Sequence, residues 1–111
     1  MLALSITLFA ITILIGIVLL TFYFLDGKTP RGVARTHGVI GTIALIILVI
    51  SAILTLPHSP FAGAILLVIA AIGGYMQFTA DIKKKILPKW FPIAHAFVAI
   101  VGFVALLWFI M

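Results

Sequence analysis

Four long apolar runs divide this chain, and no other feature constrains its fold as strongly. They extend from Leu2 to Leu25, Val33 to Leu56, Pro60 to Ala80 and Trp90 to Met111. Each is roughly 20 residues or slightly more, the length an α-helix needs to cross a hydrocarbon core about 30 Å thick. Too little lies between the runs to form a separate domain. Of the 111 residues 66% are hydrophobic and 8% charged, which leaves too little polar surface to cover a soluble globule. The first run differs from a signal peptide in lacking a basic leader and an A-x-A cleavage site, and in being too long. Short connections make consecutive helices antiparallel neighbours. The expectation is therefore all-α: one integral membrane domain over residues 1–111, folded as an up-down-up-down four-helix bundle.

The connections carry their own signals. Asp26-Gly27 with Pro30 following reads as a helix stop. Pro57-His58-Ser59-Pro60 reads as a tight turn, with Ser59 placed to cap the third helix and Pro60 at its first position. Pro88 and Pro92 suit the start of the fourth helix, where a missing N–H costs nothing. Lys28, Arg31 and Arg35 gather at the first connection, and Lys83, Lys84, Lys85 and Lys89 at the third; the second connection and both ends carry no Lys or Arg. The net charge of +5 therefore belongs to one face. By the positive-inside rule the two basic connections are expected in the cytoplasm and both termini outside. Topology and anionic headgroups account for the charge. No domain presents it to a nucleic acid, and none is expected as a partner. The absence of cysteine removes disulfides, thiolate metal sites, iron–sulfur clusters and covalently attached c-type haem.

Within the apolar runs the polar residues are few, and two of them match. His37 lies about four residues into the second run and His95 about five residues past Trp90 in the fourth, so both sit roughly 6–8 Å inside the basic boundary. In an up-down-up-down bundle those two helices run parallel. An imidazole in lipid is costly unless something satisfies it. Two level histidines on parallel helices have the arrangement that grips a haem iron from both faces, which makes both candidate metal ligands. Small residues cluster near that depth: Gly38 and Gly41 after His37, Gly74 beside Gly73 in the third run, Gly102 after His95, and Gly16 in the first. A flat macrocycle wedged between helices needs such relief, although membrane helices also use glycine simply to pack closely. Arg35 is placed to meet anionic propionates, with Arg31 and Lys89 as looser candidates. His58 reads as a solvated turn residue, and Gln77 and Asp81 as helix-end groups. The halves echo one another weakly: a basic stretch, a histidine near a helix start, then small residues.

The segments Arg35-Thr36-His37-Gly38-Val39-Ile40-Gly41 and Pro88-Lys89-Trp90-Phe91-Pro92-Ile93-Ala94-His95-Ala96, with Gly102, resemble the haem helices of bacterial four-helix membrane b-type cytochromes. In that superfamily the axial ligands come from the second and fourth helices. The resemblance implies axial-ligand roles for His37 and His95, one haem b, and electron exchange with quinol or a redox partner protein, as an electron-transfer subunit or a quinol-linked oxidoreductase. The chain departs from two-haem members in having no histidine pair towards the other face. Competing readings are a small transporter and a cofactor-free accessory subunit of a larger membrane complex, as a homo- or hetero-oligomer. Proton-coupled small exporters depend on a carboxylate in the first helix, where this chain offers only Ser5, Thr7, Thr12, Thr21 and Tyr23.

Overall fold

The computed structural model describes residues 1–111, leaving aside the side chain of Asp26. It consists of α1 (Leu2–Asp26), α2 (Arg31–Leu54), α3 (Phe61–Ile82) and α4 (Trp90–Ile110). All four helices are long and apolar enough to cross a membrane. The bundle measures 43 × 23 × 22 Å, and its long dimension matches a bilayer of about 40–45 Å with its headgroups. The chain is a multi-pass membrane protein, and most of its large apolar side chains face outwards, as lipid-facing residues must.

A proline sets the start of α2. Pro30 occupies the N-cap at φ −61°, and its carbonyl accepts a hydrogen bond from Ala34 N–H at 3.0 Å. Arg31 and Gly32 therefore join the helix ahead of Val33. At the far end Thr55 leaves helical geometry, at φ −107° and ψ 15°, and α2 stops at Leu54 instead of Leu56. The next turn differs from the sequence expectation. Ser59 does not cap α3: its hydroxyl is buried without a partner, and no side chain caps that helix. Pro60 is the N-cap itself, so α3 starts one residue later than expected, and the Pro60 carbonyl accepts from Ala64 N–H at 3.0 Å.

The two helix ends at the basic face stop in different ways. Gly27 takes φ 72° after α1, with its N–H donating to the Tyr23 carbonyl at 2.9 Å. After α3 the left-handed residue is Lys84, at φ 55°. Lys85 N–H donates to the Ala80 carbonyl at 2.8 Å and Lys84 N–H to the Asp81 carbonyl at 3.2 Å. This is a Schellman closure with a lysine where glycine is usual. A side chain in that conformation costs roughly 1–2 kcal/mol. Lys84→Gly is therefore expected to stabilise the protein by about 1 kcal/mol, read as a higher unfolding midpoint in detergent, whereas Lys83→Gly, at φ −82°, brings no such gain.

Packing is uneven along the bundle. Helices within the α1–α2 and α3–α4 hairpins lie closer than the hairpins do to each other, and the diagonal pairs make no backbone approach. The buried apolar core, Phe9, Ala44, Leu48, Ala64, Leu67 and Leu106, occupies the half away from the basic face. Ser5 ties α1 to α2 there, its hydroxyl donating to the Ala44 carbonyl at 2.9 Å. A Cβ on Gly63 would come within 2.7 Å of Leu106 Cδ2 and 3.0 Å of the Gly102 carbonyl oxygen, so α3 and α4 meet almost backbone to backbone. The half nearer the basic face lacks this core, and the histidines are in it.

Candidate functional site

His37 on α2 and His95 on α4 meet across the bundle. Their ring centroids are 6.3 Å apart and their planes stand at 81°. These are the diagonal helices, whose backbones do not approach, so only side chains span the interior at this depth.

Each ring lies against a glycine of its own hairpin partner. His37 Nδ1–H donates to the Thr12 carbonyl on α1 at 2.8 Å. A carbonyl can only accept, so Nδ1 carries a proton and a neutral ring keeps its lone pair on Nε2. The carbonyl of residue 12 points along the helix towards residue 16, where a side chain would shield it. Position 16 is glycine, and a Cβ there would come within 2.9 Å of His37 Cε1. Gly16 is what lets the imidazole lie flat on α1 and reach main chain. His95 repeats the pattern on α3. A Cβ on Gly74 would come within 3.1 Å of its Cε1, and one on Gly73 within 3.6 Å of its Nδ1. The backbone acceptor that bears on this ring is the Ala70 carbonyl, four residues before Gly74 as Thr12 is four before Gly16. The hydrogen bond does not close, however, and His95 Nδ1 stays buried without a partner.

The correspondence is regular. Thr12 and Ala70, Gly16 and Gly74, His37 and His95, and the fully buried Leu48 and Leu106 are each separated by 58 positions. Pro30 and Pro88, and Arg31 and Lys89, have the same spacing. The weak echo between the halves thus becomes, in three dimensions, two hairpins that each present one imidazole in one way to a shared axis.

The other expected site residues are spread more widely. Gly41 faces Thr12, with its Cβ position 3.2 Å from Thr12 Cγ2, one turn from His37 towards the core. Gly38 is exposed and has nothing within 4 Å of its Cβ position. Gly102 lies two turns beyond His95 in the α3–α4 seam, its Cβ position 2.9 Å from Leu67 Cγ. Arg35, Arg31 and Lys89 are exposed at the basic face. Gln77 lies inside α3, one turn from Gly74 towards that face, and its amide oxygen is buried without a partner. Asp81 is at the helix end, where its carbonyl receives Lys84 N–H. His58 is exposed and packs on Phe109 with centroids 5.0 Å apart, at the opposite end from the histidine pair. The backbone acceptor at Thr12 carries no side-chain signal; only the antiparallel register, which sets residue 16 opposite 37, could have revealed it.

Among the described residues no three or more His, Cys, Asp or Glu side chains gather as a metal site. The pair can hold a metal only if the rest of the coordination sphere arrives with it. Comparison with protein-family models, characterised proteins and solved structures finds no match to this chain.

Proposed function

We propose that the chain is a membrane b-type cytochrome that holds one haem b between His37 and His95. The observation that carries this reading is the facing pair itself: two imidazoles from diagonal helices with centroids 6.3 Å apart. Two rings at that separation would be the protein's ligands to one metal centre between them. The Nδ1–H of His37 on the Thr12 carbonyl leaves Nε2 as the ligand atom, the usual way a protein fixes a ligating histidine. Gly16, Gly73 and Gly74 seat the two imidazoles against α1 and α3 at the same depth. A two-ligand site also agrees with a macrocycle, which brings its own four nitrogens.

Haem held by His37 and His95 would supply one-electron transfer. His37 and His95 bind and orient; the core around Leu48, Leu67 and Leu106 closes the site away from the basic face. Arg35, with Arg31 and Lys89 behind it, provides the cations for propionates at the basic mouth. Since the far half is filled by apolar core, one haem is the complement. A partner that exchanges electrons, whether quinol or a protein, would therefore meet the cofactor near the basic face. The membrane is the bacterial inner membrane, with basic loops cytoplasmic and termini outside, as the one-sided Lys and Arg support.

The decisive measurement is an absorption spectrum of the detergent-purified protein from a haem-replete host: a Soret band and, on reduction, a sharp low-spin α-band are expected, and a colourless preparation overturns the proposal. Sidedness has a separate test. Reporter fusions after Met111 and within Pro57–Pro60 should read as external, and those near Lys28 or Lys84 as cytoplasmic; the reverse pattern would put the site at the opposite face.

A further inference from the structure

The turn after α3 combines features that its counterpart after α1 lacks. Both helices stop in a left-handed residue, but α1 uses Gly27 and α3 uses Lys84. The lysine takes this conformation at a cost that glycine avoids. The closure folds the chain back along α3. Lys83 and Lys85 then stand at the rim of a groove of about 240 Å³, walled by Tyr75, Met76, Thr79 and Leu87. The Thr79 hydroxyl already donates to the Tyr75 carbonyl, which leaves the Lys83 and Lys85 ammonium ions and the Tyr75 hydroxyl as the groove's side-chain polar groups. Tyr75 and Met76 face outwards, at 72% and 48% exposure, and beside the lysines Ile86 is 97% exposed. An apolar side chain without protein cover next to three lysines suits a loop lying in the headgroup layer. In the whole chain seven Lys and Arg face two carboxylates, Asp26 and Asp81, and the rim is left with excess positive charge.

We propose that this groove is a binding site for one anionic phospholipid, with Lys83 and Lys85 holding the phosphate and an acyl chain lying along Tyr75 and Met76. Charge complementarity identifies the occupant: two cations at headgroup depth above an apolar wall that continues into the hydrocarbon layer. A soluble acidic partner would have no use for the wall, and a zwitterionic lipid would gain little from the rim. The site is independent of whatever lies between His37 and His95.

The test is native mass spectrometry of the full-length protein in detergent, titrated with phosphatidylglycerol or with phosphatidylcholine of the same chains. One retained phosphatidylglycerol is expected, in preference to phosphatidylcholine. Each lysine near an anionic surface is worth roughly a factor of five, so Lys83→Gln with Lys85→Gln should weaken retention about tenfold or more. Lys28→Gln removes a charge from the other basic connection and should leave retention unchanged. Met76→Trp fills the wall without touching charge and should also expel the lipid. Equal retention of both lipids, equal loss in the two charge-removal variants, or full retention in Met76→Trp would each overturn the site. So would displacement by millimolar inorganic phosphate, which would mean that the acyl chain contributes nothing.

Discussion

Alanine at His37 or at His95 is expected to abolish the low-spin α-band of the reduced protein, while His58→Ala leaves it intact. The proposed site has two protein ligands and no reserve, because among the described residues no third metal-binding side chain approaches the pair. Losing one ligand leaves the iron with an open position or releases the cofactor, and either outcome is visible in the spectrum. The two losses need not be equal. His37 is held by a hydrogen bond from Nδ1–H to the Thr12 carbonyl at 2.8 Å, whereas His95 Nδ1 has no partner. His95→Ala should therefore leave the better-anchored ligand in place and give a high-spin species. That species should be restored to low spin by added imidazole, which can enter the space vacated on Gly73 and Gly74. His37→Ala should retain less haem. A purely structural role for the pair would instead lower the yield of folded protein in both variants without any imidazole-dependent change in the spectrum.

The helices were legible in the sequence because lipid offers a spanning segment no alternative: every N–H and C=O must be satisfied within it. Levelness of the histidines was legible for the same reason, since helical rise converts position along the run into depth. Rotation about each helix axis was not. The runs are apolar on nearly all sides, so no stripe identifies the inward face. That is why Gly38, which looks outwards, and Gly102, which packs on Leu67, stood in one expectation with Gly74, which lies on His95. Periodicity could place all three near the axis of a helix bundle but could not say which neighbour each would meet. Local chemistry misled at one turn, where Ser59 precedes a proline that takes the cap position itself. At another, Lys84 adopts a left-handed conformation more usual for glycine. The spacing of 58 between equivalent residues was present in the sequence all along. It becomes persuasive only when Gly16 and Gly74 are seen to do the same thing to the two histidines.

That equivalence separates glycines that seat the histidines from glycines that serve only packing, and a set of leucine substitutions distinguishes them. At Gly16 even the first added carbon would come within 2.9 Å of His37 Cε1, and at Gly74 within 3.1 Å of His95 Cε1. Neither ring can withdraw without leaving its place against the neighbouring main chain. Overpacking costs about 1–3 kcal/mol, and here it falls on the position of a proposed ligand. Gly16→Leu and Gly74→Leu are each expected to cut the haem-to-protein ratio of the monodisperse fraction about tenfold or more, each kcal/mol being worth roughly a factor of five in a binding equilibrium. Gly102→Leu should act differently. Its side chain would strike Leu67 and Leu66 within the apolar core, so less protein folds, while the folded remainder keeps its full complement of haem. Gly38→Leu enters open space and should change neither yield nor occupancy. The measurement is the pair of numbers, folded yield and haem ratio, for all four variants. Loss of haem in Gly38→Leu together with full occupancy in Gly16→Leu and Gly74→Leu would show that the cofactor lies elsewhere than between the two hairpins' histidines.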